Sequence, residues 1–358
     1  MLRPLSILLV ITQRRYSGAE RICLALCEEL QRRGHRVTLL CKQNGNMPEI
    51  ASQAGIDVRT PAISGKLNLL APRRIATLAR EVRADIIHTH LSTAALWGTL
   101  AGRLAGIPVV AHVHAMNSKL YYQFADRIVT CSAGVKQHLL TQGVAERIVR
   151  VAYNGIDLRR FEGLPDRAQV RAVLGISPTS PAIVCVAHLS AKKGQEFLIR
   201  AVALLRGRWP ELHCLLVGEG IMADQLRSLA GELGVGDRVH LLGFRSDAVA
   251  IVNAADVAVL PSIAKEGLGL VLVEAALLEK PAVASNAPGI DEALQDGITG
   301  LLVPPGDPQR LADALDRLLA DENLRRNMGR AGRQRALETF TIPAMTEAVE
   351  AVYRELLA

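Results

Sequence analysis

Two glutamates, Glu266 and Glu274, flank the run Gly267-Leu268-Gly269-Leu270. Glycines at such a strand-to-helix turn let backbone N–H groups approach an anion, and the helix N-terminus adds a favourable dipole for a diphosphate. A carboxylate in the loop would hold sugar hydroxyls, and one a turn into the helix would accept both hydroxyls of a ribose cis-diol. The competing reading is a tight turn with two solvated glutamates. Lys193, followed by Gly194, is a cation of the kind that neutralises charge on a departing phosphate, although a lone lysine is more often a solvated surface group. Four histidines, His88, His90, His112 and His114, alternate along two apolar runs, so each pair points to one side of an extended chain. Such a quartet invites a metal site, but no spaced carboxylate or cysteine completes it, and no metal is expected.

These residues need a scaffold that brings loops to one edge of a sheet. Short apolar runs at 5–11, 37–41, 85–90, 109–113, 127–130 and 148–152 alternate with amphipathic stretches. That alternation predicts βαβ units around a parallel sheet. The pattern loosens over 161–180, punctuated by Pro165, Pro178 and Pro181, and a linker is expected near 165–180. It restarts with strands at 182–187, 213–217, 239–242, 257–260, 282–285 and 301–303. Two α/β domains are expected, 1–165 and 175–340, with a final helix at 343–358 crossing back onto the first. In such sheets ligands sit at the carboxyl ends of strands, where the residues above fall.

Composition narrows the class. The chain has 358 residues, 49% hydrophobic and 22% charged, ample for two cores. With only 3% aromatic residues it lacks the stacking surfaces of single-strand nucleic-acid binders. No apolar run reaches the length of about 20 residues needed to span a bilayer, and the N-terminal run reads as a strand rather than a signal peptide. Six cysteines form no Cys-x-x-Cys pair and sit in apolar runs, so a cytoplasmic, reduced protein is expected. Residues 1–163 carry a net charge of +11 and 164–358 a net −4. An anionic partner of the first half, such as a membrane surface or an acidic acceptor, and a solvated basic face are equally compatible with that asymmetry.

Over 6–320 the sequence resembles the retaining glycosyltransferases of the GT-B fold in family four, the "group 1" transferases. Glu266 and Glu274 match that family's E-x7-E motif, which continues into Ala275-Ala276, Lys280-Pro281-Ala282-Val283 and Gly289-Ile290-Asp291-Glu292. The closing Gly-Leu-Leu-Val-Pro-Pro-Gly-Asp stands at 300–307. The resemblance implies two Rossmann-like domains facing across a cleft, and a nucleotide-sugar donor, UDP- or GDP-linked, as substrate rather than any cofactor. It implies that Glu274 binds the donor ribose and Glu266 the donor sugar. Ser17 and Gly18 resemble the glycine loop after the first strand, with Ser17 replacing the first glycine. Lys193 aligns with the lysine of the phosphate clamp, whose usual arginine is His188 here. His114 occupies the position of a histidine close to the reacting sugar, the Gly267–Leu270 backbone meets the phosphate, and Gly243-Phe244 borders the base. Asn154-Gly155-Ile156-Asp157 matches the segment that ends the first domain.

The expected reaction is transfer of a hexosyl-type unit to an acceptor hydroxyl with retention of configuration. The expected acceptor is a glycan or lipid-linked saccharide, as in lipopolysaccharide, polysaccharide or glycolipid synthesis. Arg73, Arg74, Arg80 and Arg83 would suit anionic headgroups on the inner face of the cytoplasmic membrane. Two other classes compete. A dinucleotide oxidoreductase needs G-x-G-x-x-G after the first strand, which is absent. A non-catalytic nucleotide- or glycan-binding protein of the same fold is favoured only by His188.

Overall fold

The computed structural model describes residues 3–12, 18–63 and 68–358. Two units divide the chain: Met1–Asp157 together with Thr339–Ala358, and Leu158–Glu338.

In the first unit the strands are β1 (Ser6–Ile11), β2 (Arg36–Leu40), β3 (Asp57–Arg59), β4 (Ile86–His90), β5 (Val109–Val113), β6 (Arg127–Thr130) and β7 (Val149–Val151). They form one parallel sheet in the order β3-β2-β1-β4-β5-β6-β7. Strands β1, β4 and β5 are buried along their whole length, as expected for a parallel sheet covered on both faces. The connections carry α1 (Gly18–Arg32), α2 (Met47–Gln53), α3 (Ala71–Glu81), α4 (Ser92–Ala105) and α5 (Ala133–Thr141). One core lies between the sheet and α3 and α4, including Leu8, Val10, Ile87 and Trp97. The other lies under α1, including Ile7, Leu9, Ile11, Leu26 and Val110. Successive residues of β1 thus feed opposite cores, as the period of a strand requires.

In the second unit the strands are β8 (Ala182–Val186), β9 (His213–Val217), β10 (Val239–Leu241), β11 (Val257–Leu260), β12 (Ala282–Ser285) and β13 (Gly300–Val303), parallel in the order β10-β9-β8-β11-β12-β13. Its helices are α6 (Arg167–Val173), α7 (Gln195–Leu205), α8 (Ala223–Glu232), α9 (Ala248–Ala254), α10 (Leu270–Leu277), α11 (Pro308–Ala320) and α12 (Glu322–Thr339). Both sheets have the doubly wound order in which the first strand of the unit lies beside the fourth.

The last helix, α13 (Ile342–Leu357), belongs to the first unit and packs on α1. It is tied there by polar contacts. His35 Nδ1 accepts from the Leu5 N–H, so its Nε2–H donates to Glu350 Oε1 at 2.9 Å, and Arg33 donates to Glu350 Oε2 at 3.0 Å.

The stretch read from its prolines as a linker, 165–180, is instead structured. Asp166 caps α6 by accepting from the Ala168 N–H. Arg171, 1% exposed, donates to the carbonyls of Ala254, Ser177 and Ser180 and lies 3.8 Å from Asp256. These contacts bind α6 to the second unit, so that unit starts at Leu158, upstream of the expected 175. The sequence pattern also passes over β3 and α2, which are only 3 and 7 residues long.

Candidate active site

The strand order of the second sheet reverses between β8 and β11, which are hydrogen-bonded neighbours with their carboxyl ends side by side. The chain leaves β8 through a loop with a 3-10 turn at Ala191–Lys193 and leaves β11 through Pro261-Ser262 toward α10. Backbone bonds lace these loops. Ile263 N–H donates to Lys192 O at 2.9 Å, Leu189 N–H to Glu219 O at 2.8 Å, and Gly218 N–H to Gly243 O at 2.8 Å. Two glycines permit the approach. Gly194 has φ +67°, and a Cβ there would stand 2.0 Å from Pro261 O; Gly289 has φ +90°, and its Cβ would meet Glu266 O at 2.3 Å.

This framework brings Lys193 and Glu266 together. Lys193 Nζ donates to Glu266 Oε1 at 2.6 Å, and Ser262 Oγ donates to the same oxygen at 2.7 Å. Both charged side chains are largely covered, at 18% and 16% exposure, which strengthens their attraction relative to a surface pair. Glu274 projects from α10, where Arg160 donates to its Oε1 at 2.6 Å. The helix begins after Gly269 (φ +67°), whose carbonyl accepts from the Leu272 N–H at 2.8 Å, and the N–H groups of its first turn point to its amino end, where an anion is favoured. The Leu268 side chain is buried at 3% exposure and contributes only backbone to this turn.

His188 is exposed in the loop after β8, and its carbonyl accepts from Gln195 Nε2 at 3.1 Å. Phe244 is 70% exposed after β10. Gly18 opens α1 in the first unit, while Ser17 lies outside the described residues. Sequence reasoning missed Ser262 and Arg160. Neither carries a local signal, since a serine before a loop and an arginine beside Arg159 are ordinary residues until the fold places them.

In the first unit the four histidines form a column on β4, β5 and the residue following β5. Ring centroids are 4.8 Å apart for His88 and His90, 4.9 Å for His90 and His112, and 4.3 Å for His112 and His114. His114 Nε2 lies 2.9 Å from His90 Nδ1, and His88 Nδ1 lies 2.5 Å from the Tyr353 hydroxyl on α13. Nitrogens of His88, His90 and His112 come within 4.8 Å of one another. Ligands of a tetrahedral zinc stand about 3.4 Å apart. His88 stacks on His90 and on His112 at interplanar angles of 16° and 21°, and His90 is tilted by 33° against His112. Burial drives the pKa of His88, His90 and His112 well below the ordinary range. Burial takes His114 down to about 4, with the neighbouring Asn154 side chain opposing it.

Residues 166–335 match the model of group 1 glycosyl transferases, and residues 16–160 that of Glycosyltransferase Family 4. The chain is 31% identical over 307 residues to D-inositol 3-phosphate glycosyltransferase of Saccharomonospora viridis, covering 76% of this chain and 70% of that one. The chain belongs to the group 1, family 4 glycosyltransferases. The glycosyltransferase is 28% identical over 343 residues to the lipopolysaccharide core biosynthesis glycosyltransferase LpsE of Rhizobium meliloti, covering 95% of this chain and 96% of that one. Among solved structures, Anabaena HepE in complex with UDP aligns with a TM-score of 0.87 at 25% identity, covering 98% of this chain and 100% of that one. The two Rossmann-like units are those of the GT-B fold.

Burying four neutral histidines makes the stability of the glycosyltransferase depend on pH. Unfolded histidines titrate near 6.5, so as pH falls below that value the unfolded chain takes up protons that the folded column does not. Each fully depressed histidine then costs up to about 1.4 kcal/mol of stability per pH unit until its folded pKa is reached. Denaturant unfolding between pH 7 and 5 is expected to show this loss, and His112→Leu to make the pH slope shallower by roughly 1.4 kcal/mol per unit. An unchanged slope in the variant would show that His112 is charged in the folded protein.

Proposed function

We propose that this glycosyltransferase moves a sugar unit, of hexosyl type, from a nucleoside diphosphate sugar to an acceptor hydroxyl with retention of anomeric configuration, using no metal and no cofactor. The observation that carries the reading is the Lys193–Glu266 pair at the strand reversal, with Glu274 on the helix that follows. Lys193 offers a fixed cation to the diphosphate, and the first N–H groups of α10 add donors. Glu266 accepts from donor-sugar hydroxyls, and Glu274 from the ribose, with Arg160 on its other flank. His114 contacts the donor sugar. In a front-face displacement the bond from the anomeric carbon to the phosphate oxygen breaks. The acceptor oxygen bonds to that carbon on the same face, and its proton passes to the departing phosphate. Uridine or guanosine diphosphate is the proposed carrier. The Anabaena relative has been crystallised with UDP and with UDP-glucose.

Thermal shifts with UDP, GDP, ADP and their sugar conjugates, without added metal, test the donor site, because a ligand that binds only the folded state raises the melting temperature by mass action. One nucleotide is expected to stabilise the wild type, and Glu274→Ala to lose most of that shift. No shift with any of them would overturn the reading.

The proposed acceptor is a glycan or lipid-linked saccharide in lipopolysaccharide, polysaccharide or glycolipid synthesis, met at the inner face of the cytoplasmic membrane. The names of relatives such as LpsE support the pathway class. No helix among the described residues is long and apolar enough to cross a membrane. On α3 and its flanks Arg73, Arg74, Arg80 and Arg83 are exposed, and Leu69 and Leu70 are 80% and 53% exposed. Arginines beside exposed leucines suit an anionic lipid surface. Flotation with phosphatidylglycerol-containing vesicles is expected to carry the protein and to weaken with salt and with the Arg73→Glu, Arg74→Glu double variant. Equal behaviour on purely zwitterionic vesicles would rule the surface out.

A further inference from the structure

Glu266 enters the site with its main chain pinned and its carboxylate unevenly used. Its N–H donates to Pro288 O at 3.1 Å, and a Cβ on Gly289 would stand 2.3 Å from Glu266 O. Beyond the backbone, a glutamate side chain still has three torsions to fix. Both donors that reach it, Lys193 Nζ at 2.6 Å and Ser262 Oγ at 2.7 Å, converge on Oε1. No donor among the described residues reaches Oε2, and that oxygen is not buried. One carboxylate oxygen is held by the protein, and the other is open.

The two donors are not equivalent. A lysine carries its ammonium on a flexible stem and follows the carboxylate wherever it settles. Ser262 has a short side chain, is 0% exposed, and sits in backbone that is fixed on both sides. Before it, Pro261 O packs against Gly194, where a Cβ would come within 2.0 Å. After it, Ile263 N–H donates to Lys192 O at 2.9 Å. The Ser262 hydroxyl is therefore a stationary donor, and its short bond to a carboxylate is of the stronger, charge-assisted kind. Lys193 supplies attraction to Glu266, and Ser262 supplies direction.

We propose that Ser262 is a positioning residue: by anchoring Oε1 of Glu266 it turns Oε2 toward the donor sugar, as the one carboxylate oxygen that receives a sugar hydroxyl. The claim about the sugar rests on the transferase reading; the anchoring of Oε1 does not. A carboxylate oxygen only accepts, so the sugar group met there is a hydroxyl that donates. The nucleoside diphosphate half of the donor touches neither Ser262 nor Oε2, so the serine bears on the sugar alone.

The test has two arms on the full chain. Calorimetry compares UDP-glucose with UDP, and GDP-mannose with GDP, on the wild type, Ser262→Ala, Glu266→Ala and the double variant. Ser262→Ala is expected to weaken the sugar nucleotide about tenfold and to leave the bare nucleoside diphosphate within about twofold. In the Glu266→Ala background, Ser262→Ala is expected to change neither. The proposal is overturned if Ser262→Ala weakens both ligands alike, leaves the sugar nucleotide unaffected, or costs as much without Glu266 as with it. The second arm is a pair of ligand-free crystal structures. The wild type is expected to hold Oε1 on Ser262 with Oε2 open, and the Glu266 carboxylate of Ser262→Ala to turn away from that position. A carboxylate that stays in place in Ser262→Ala overturns the proposal whatever the ligands do. A carboxylate that turns, in a protein whose wild type binds neither sugar nucleotide, counts against the transferase reading and leaves the anchoring of Oε1 in place.

Discussion

A parallel sheet that reverses its winding must open a crevice where the two directions part, because the helices leave on opposite faces. In the second unit that point lies between β8 and β11, and the site depends on it. The loop from β8 supplies Lys193 and the loop from β11 supplies Ser262 and Glu266, residues that meet only because their strands are neighbours. A lysine and a glutamate at 2.6 Å, both mostly covered, hold each other fixed in space. They offer a cation and an anion side by side, which suits a ligand that joins a diphosphate to a sugar rich in hydroxyls. The close approach of Gly194 to Pro261 and of Gly289 to Glu266 shows how little room that geometry leaves.

The first unit repeats the topology with different chemistry. Its central strands β4 and β5 lead into histidines whose ring partners are a tyrosine hydroxyl and one another. Four stacked imidazoles under α13 are neutral because burial makes their charged forms costly. A neutral histidine donates or accepts a hydrogen bond without bringing a charge into the core.

What can be read from the sequence is what is local in it. Glu266, the glycine turn and Glu274 sit within one strand-turn-helix segment, so the sequence shows that they share one turn, though not that Lys193 meets Glu266 there. The alternation of apolar runs likewise carries most strands. Contacts across long separations are invisible there: Arg160 reaches Glu274 114 residues away, and Tyr353 reaches His88 265 residues away. The prolines near 165–180 read as a linker because proline marks helix starts and loops alike, and only the buried Arg171 with its carbonyl partners reveals a packed helix. The histidine quartet is legible as a cluster on one side of two strands, but the angles between its rings are set by tertiary packing.

The most direct measurement is a crystal structure of the full chain soaked with the nucleotide sugar that stabilises it best. The expected density places the ribose hydroxyls within hydrogen-bond distance of the Glu274 carboxylate and the diphosphate beside Lys193 at the carboxyl ends of β8 and β11. A nucleotide bound elsewhere, with Glu274 still paired only to Arg160, would contradict the assignment of the donor site.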